Sequence, residues 1–182
     1  MIKAKVAQLI LQLGVAIILL SLWVSVHARD LKKNESIVID FDSIPFNQSI
    51  KVVKGNGSKK IAVFYEIDCN YCKNLEKYEL SHVDDVTIYN FLFVNEVDKN
   101  NISWKRAESI WCSKDIKKAW DDFIFKDYLA MNFKSCVSPL EQNKDLALKL
   151  GVKGTPTLFF SNGTRSNGMI KAKEIHQRIL DA

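Results

Sequence analysis

Apolar and polar positions divide this 182-residue chain into one long uncharged run and a series of short elements behind it. No charged residue occurs from Val6 to Val26, and Leu13–Val26 is almost wholly apolar. Beyond it, Ser36–Phe41 alternates and predicts a short strand. Pro45–Val53 predicts one short helix, and Gly55-Asn56-Gly57-Ser58 a turn. Lys60–Ile67 (KIAVFYEI) is rich in β-branched and aromatic residues and predicts a buried strand. Cys69 to Leu80 predicts a helix, with Leu75, Tyr78 and Leu80 at roughly helical spacing. Val86–Val94 (VTIYNFLFV) predicts a second buried strand. Residues 103–150 are helical in pattern, with Trp104, Ala107, Ile110, Trp111 and then Ile116, Ala119, Trp120, Phe123 as stripes. Gly151 looks like a helix C-terminal cap. Thr157–Phe160 and Arg165–Ile170 predict a hairpin through Ser161-Asn162-Gly163, and Lys171–Leu180 a closing helix. No internal repeat is visible.

The order is strand, helix, strand, helical insertion, hairpin, helix. It predicts an α/β fold on a mixed sheet, since a hairpin adds antiparallel pairing to a parallel βαβ unit. Three segments follow: 1–28, a short extension at 29–59, and a main domain at 60–182 with its helical insertion at about 103–150.

The first segment reads as a signal peptide. Lys3 and Lys5 start it, the apolar run follows, and Val26-His27-Ala28 offers small side chains before Arg29 and Asp30. The alternative is an uncleaved anchor. The uncharged stretch is long enough to span a bilayer, but Gln8, Gln12 and Gly14 weaken its first half. Either way the remainder is exported, and disulfides are permitted there.

At 47% hydrophobic and 26% charged, the chain is neither disordered nor wholly membrane-embedded. Its net charge of +5 is small and scattered, and argues against nucleic acid as partner. The four cysteines are enough for two pairs.

Cys69-Asn70-Tyr71-Cys72 directly follows a predicted strand and opens a predicted helix. The spacing lets two sulfurs meet within one turn. A thiol at a helix N-terminus faces unpaired N–H groups that favour its thiolate, so Cys69 is the candidate nucleophile and Cys72 the resolving thiol. The competing readings are an inert bridge and half of a zinc site. Zinc needs two further ligands, whereas Cys112 and Cys136 stand 24 residues apart and His82 and His176 stand alone. No metal or other cofactor is expected.

Thr155-Pro156 is the second mark. A cis bond here, between Gly151–Gly154 and the strand from Thr157, would set the Thr155 backbone beside the sulfurs, free to pair with a peptide. Cys112 and Cys136 could bridge the two ends of the insertion, a loop closure of about 3.5 kcal/mol, or remain as two buried free thiols. Glu66 could relay a proton to Cys72, or be a solvated strand end. Asp68, directly before Cys69, should oppose its thiolate. Trp104, Trp111 and Trp120 read as core. There is no Gly-rich phosphate loop and no Ser/His/Asp arrangement.

Val63–Lys73 (VFYEIDCNYCK) resembles the catalytic segment of the DsbC/DsbG-type periplasmic disulfide isomerases. So do Ile110–Asp115 with Ala119–Asp122, Leu150–Thr157 and Ser161–Thr164. The resemblance spans roughly residues 45–180. It implies a thioredoxin-like fold, a helical insertion carrying a structural disulfide, Cys69 as nucleophile, Cys72 as resolver and Pro156 in cis. It also implies exported cysteine-containing substrates and a membrane reductant of the DsbD type. Glu66 stands where the family usually has Asp, and Ile67 where it often has Pro.

The expected function is that of a periplasmic thiol:disulfide oxidoreductase. The expectation from another class is a non-catalytic chaperone or assembly factor of a secretion or conjugation system, holding peptides at Thr155. The family's N-terminal dimerisation domain finds no room in residues 29–59, which offer one strand, one helix and no cysteine. A monomer is therefore expected.

Overall fold

Strand β2 (Lys59–Glu66) is buried almost along its whole length, with Ile61–Tyr65 fully enclosed. A strand covered on both faces loses the polar alternation of a surface strand, which is why KIAVFYEI carries apolar residues at consecutive positions. In the computed structural model, which describes residues 38–131 and 136–182, β2 is the middle of a five-stranded sheet. The order is β1 (Ile50–Val53), β3 (Val86–Phe93), β2, β4 (Thr157–Phe160), β5 (Arg165–Asn167). β2 and β3 run parallel, and the other neighbours pair antiparallel. The leader expected at residues 1–28 lies outside the described residues. Among the described residues no helix is long and apolar enough to cross a membrane.

Helices cover both faces. Helix α1 begins at Asn70–Asn74, continues as a wider π turn over Leu75–Glu79 and ends in a 3₁₀ turn at Leu80–His82. Helices α2 (Ile102–Trp111), α3 (Ile116–Phe125) and α4 (Leu140–Lys149) form the insertion between β3 and β4, and α5 (Ala172–Leu180) closes the chain. α2 and α3 bury Trp104, Ile110, Trp120 and Phe123 against Tyr65, Leu92 and Cys72. α5 buries Ile175 and Ile179 against Ile61, Val63, Leu158 and Phe160. A third cluster gathers Phe64, Phe91 and Phe159, with Phe64 stacked on Phe91 at 5.0 Å and edge-on to Phe159.

The structure corrects four expectations. Pro45–Val53 is not one helix: a 3₁₀ turn at Phe46–Gln48 leads into β1. Ile50 is buried, Lys51 exposed and Val52 half-buried, a period of two suited to an edge strand on β3. Residues 50–53 therefore supply part of the sheet, and the domain does not start at residue 60.

The alternation expected as a strand over Ser36–Phe41 is not one in its described part. Residues 38–40 have no ladder partner, and a 3₁₀ turn follows at Phe41–Ser43. The Ile39 N–H instead donates to the Gly163 carbonyl at 3.0 Å. This close approach to the hairpin tip requires glycine: a Cβ on Gly163 would lie 2.2 Å from the Ile39 oxygen, at φ +79°.

The insertion is three helices rather than one helical tract: residues 112–115 separate α2 from α3, and the residues at 126–131 and 136–139 between α3 and α4 are irregular. Asp115 caps α3 by accepting from Lys118 N–H at 2.9 Å. Fully buried Asn143 ties α4 to the sheet, donating to Leu92 O at 2.9 Å and Gln48 O at 3.0 Å. The return strand stops at Asn167 instead of reaching Ile170. Gly168 takes φ +82° and donates to Pro156 O at 2.7 Å, which turns Met169 and Ile170 off the sheet.

Two buried glutamates have opposite fates. Glu79 accepts from Ala172 N–H at 2.8 Å and from Lys171 Nζ at 3.0 Å, so it caps α5 and its pKa falls. Glu76 lies inside the π turn, and burial raises its pKa from 4.5 to about 7. A raised acid pKa means that folding favours the protonated form. Its contribution to stability is present below pH 4.5 and is lost as the pH rises through 7. Glu76→Gln should therefore exceed the wild type by on the order of 2–3 kcal/mol at pH 8 and differ little at pH 4. Urea titrations at both pH values check this, and a difference independent of pH would contradict it.

Candidate functional site: two thiols at the end of β2

The parallel ladder of β2 and β3 extends one step past Glu66, with Ile67 N–H donating to Phe93 O at 3.3 Å. The chain then turns, and Cys69 is the N-cap of α1. Its sulfur accepts the Cys72 N–H at 3.1 Å. One turn in, Cys72 is fully buried among Tyr65, Trp104 and Trp120, while Cys69 is partly exposed.

The peptide bond between Thr155 and Pro156 is cis. The Thr155 carbonyl lies 3.3 Å from the Cys69 sulfur and accepts its proton when that sulfur is a thiol. Residues 86 positions apart thus meet at one atom.

The two thiols are driven apart in acidity. Cys69 falls from 9.0 to about 6, chiefly through the Cys72 side chain hydrogen-bonding to its sulfur. Burial opposes the fall, and the Thr155 side chain and the N–H groups of Cys72 and Tyr71 reinforce it. Cys72 is pushed far up, first by burial and then by Cys69 beside it. At neutral pH one sulfur is a thiolate and the other a thiol.

Glu66 is buried rather than a solvated strand end, and its carboxylate accepts from Asp68 N–H at 3.0 Å. Burial raises its pKa to about 7, the Asp68 N–H acts against this, and the charges of Asp68 and Cys69 add to it. Cys112 and Cys136 are joined, with a Cα–Cα distance of 5.7 Å. The bridge ties the end of α2 to the segment before α4.

Residues not singled out from the sequence complete the surroundings. Ser103 and Arg106 of α2 hold the Asp68 carboxylate. Tyr71, Met169 and Ile170 line a groove of about 530 Å³ that reaches Thr155. The signal for the groove was the Gly168 break, which frees Met169 and Ile170 from the hairpin. Arg106 carried no local signal, because its partner is 38 positions away.

An accessible thiolate, a buried thiol three residues on and a cis-proline turn across from them form a dithiol able to take up and return a disulfide. The chain belongs to the thioredoxin-like family: residues 46–182 match the thioredoxin-like domain. Over 142 residues it is 34% identical to a probable thiol:disulfide interchange protein DsbC of Bordetella parapertussis, covering 78% of this chain and 49% of that protein. It is 31% identical over 117 residues to the thiol:disulfide interchange protein DsbC of Escherichia coli, covering 64% of this chain and 49% of that protein. The chain thus spans about half the length of these curated relatives. The crystal structure of a disulfide interchange protein from Neisseria gonorrhoeae superposes with a TM-score of 0.66 at 33% identity, covering 75% of this chain and 98% of that one.

The acidity split has a direct readout. Iodoacetamide should label Cys69 of the folded, reduced protein with a pH midpoint near 6, against about 8.5 for a free thiol. Cys72 should stay unlabelled until the protein unfolds. Peptide mass mapping after alkylation separates the two, and a Cys69 midpoint above 8 would contradict the geometry described.

Proposed function

We propose that the chain is a periplasmic thiol:disulfide oxidoreductase that exchanges disulfides in exported proteins through a mixed disulfide on Cys69. The observation that carries the reading is the opposed acidity of two sulfurs one helical turn apart, one open to a partner and one enclosed.

The Cys69 thiolate attacks one sulfur of a substrate disulfide. The Cys69–substrate bond forms, the substrate S–S bond breaks, and the departing substrate sulfur takes a proton. The groove by Tyr71, Met169 and Ile170 holds the partner chain, and the Thr155 backbone pairs with it as an added strand. Cys72 then loses its proton to Glu66 and attacks the Cys69 sulfur. The second substrate sulfur leaves reduced, and Cys69–Cys72 becomes the disulfide. A membrane reductant of the DsbD type returns both thiols. If a second substrate thiol attacks the mixed disulfide first, the result is isomerisation. No cofactor takes part.

A purely peptide-holding role would leave the acidity of the two sulfurs without a use. The described part of the extension is built into the catalytic sheet as β1, which supports a monomer. Light scattering of residues 29–182 at micromolar concentration should give the monomer mass, and a stable dimer would overturn that part of the reading.

Cys72→Ser should trap mixed disulfides with exported proteins, visible on non-reducing gels and lost on reduction. Cys69→Ser should trap few, because its remaining sulfur is buried and protonated. The wild type should reduce insulin, and each single variant should lose at least a hundredfold. Equal trapping by both variants would sink the assignment of nucleophile and resolver.

A further inference from the structure

Cys69 is preceded by a carboxylate, an arrangement that works against the chemistry. An anion next to a sulfur that must ionise disfavours the thiolate. The structure supplies a counter-charge from a distant part of the chain. Asn101 caps α2, accepting from Ser103 N–H at 2.8 Å. Ser103 and Arg106 stand three residues apart, hence on one face of α2. Ser103 Oγ donates to one oxygen of Asp68, and Arg106 donates to the other at 2.5 Å. Arg106, Asp68, Cys69 and Lys73 then line one small pocket of about 110 Å³.

We propose that Arg106 is a positioning residue for the exchange reaction: its guanidinium neutralises Asp68 beside Cys69 and so sets how readily the Cys69 sulfur ionises. The other charges that face this sulfur are accounted for. Lys73, from α1, is bound to Asp127 at 2.7 Å and lies 4.3 Å from the Phe123 ring centroid. Glu66, from β2, is held by the Asp68 N–H. Cys72 is protonated, and Thr155 is neutral. Asp68 is thus the anion in direct sequence contact with Cys69, and Arg106 is the cation that cancels it. Both side chains are more than a third exposed, so solvent screens the effect without abolishing it.

The insertion thereby gains a function at the reacting atoms. Helix α2 does more than pack Trp104 and Ile110 on the sheet. It carries the cation that pairs with Asp68, and it would let Asp68 be retained without loss of the thiolate.

The inference rests on Cys69 being the nucleophile, but its test reads the sulfur directly. The pH dependence of Cys69 alkylation is measured in the full exported chain for Arg106→Met, Asp68→Asn, the double variant and Arg106→Lys. Arg106→Met should carry about three- to tenfold less thiolate at pH 5. Its equilibrium with glutathione should move toward the disulfide by a similar factor, where tenfold is ~30 mV for a two-electron couple. Asp68→Asn should shift the titration the opposite way. The double variant should return to the wild-type midpoint, and Arg106→Lys should keep most of it. In 1 M salt the single-variant differences should shrink.

A structural role alone would not reverse sign between the two single variants or cancel in the double. Should Arg106→Met fail to fold, Asp68→Asn alone still decides, since a midpoint that does not fall overturns the proposal. An unmoved midpoint in Arg106→Met, or a double variant displaced as far as Arg106→Met, does the same. Loss of insulin reduction by the wild type with the titration pattern intact would sink the exchange reading and leave this one standing.

Discussion

Desolvation of the Cys72 sulfur is the constraint on which the rest of the site depends. A thiol buried in one cluster with Tyr65, Trp104 and Trp120 resists ionisation, because burial strips the charged form of its solvation. It therefore stays a donor, and its proton stabilises the neighbouring thiolate. Cys69 gains what Cys72 cannot use. Identical side chains three residues apart acquire different chemistry from burial and hydrogen bonding, with no difference in covalent structure.

That enclosure is built by the insertion as much as by the sheet. β2 delivers both cysteines to one end of the domain, but its own neighbours leave the Cys72 side of the sheet open. Helices α2 and α3 close it. Tyr65 meets Trp120 edge-on at 4.7 Å, and Trp120 continues to Phe123 at 6.4 Å. The Cys112–Cys136 bond holds the far end of α2 to the segment before α4. Packing in the insertion and acidity at the sulfurs are thus one property seen from two places.

How much of this was legible in the sequence depends on the range of each interaction. The long buried strands were legible because two-sided burial needs an unbroken apolar run. The dithiol was legible because its geometry is local, one helical turn. Thr155-Pro156 was legible only in company, through the glycine-bounded turn before it and the strand after it. β1 was missed because a four-residue edge strand, Ile-Lys-Val-Val, shows a single cycle of alternation. The π turn was missed because Leu75 and Leu80 fit a regular helix equally well. The burial of Glu76 and Glu79 within it is a fact of tertiary packing. The short return strand was misjudged because Met169 and Ile170 look like strand residues, and only the positive φ of Gly168 reveals the break. Arg106 could not be found from spacing at all, since ion pairs between distant elements leave no periodic trace.

The residues that touch the sulfurs come from the end of β2, the first turn of α1 and the turn before β4. Those that tune them come from β2 and α2. All of these lie between Tyr65 and Pro156, within one sheet and its covering helices. The acid–base asymmetry of the thiols is therefore a property of this domain and requires no neighbouring subunit. Chemistry and access are separable here on physical grounds. The first is settled by burial at Cys72 and charge at Cys69, within a few ångströms. The second is governed by the rim of exposed Tyr71 and half-buried Met169 and Ile170, which can change without disturbing the first.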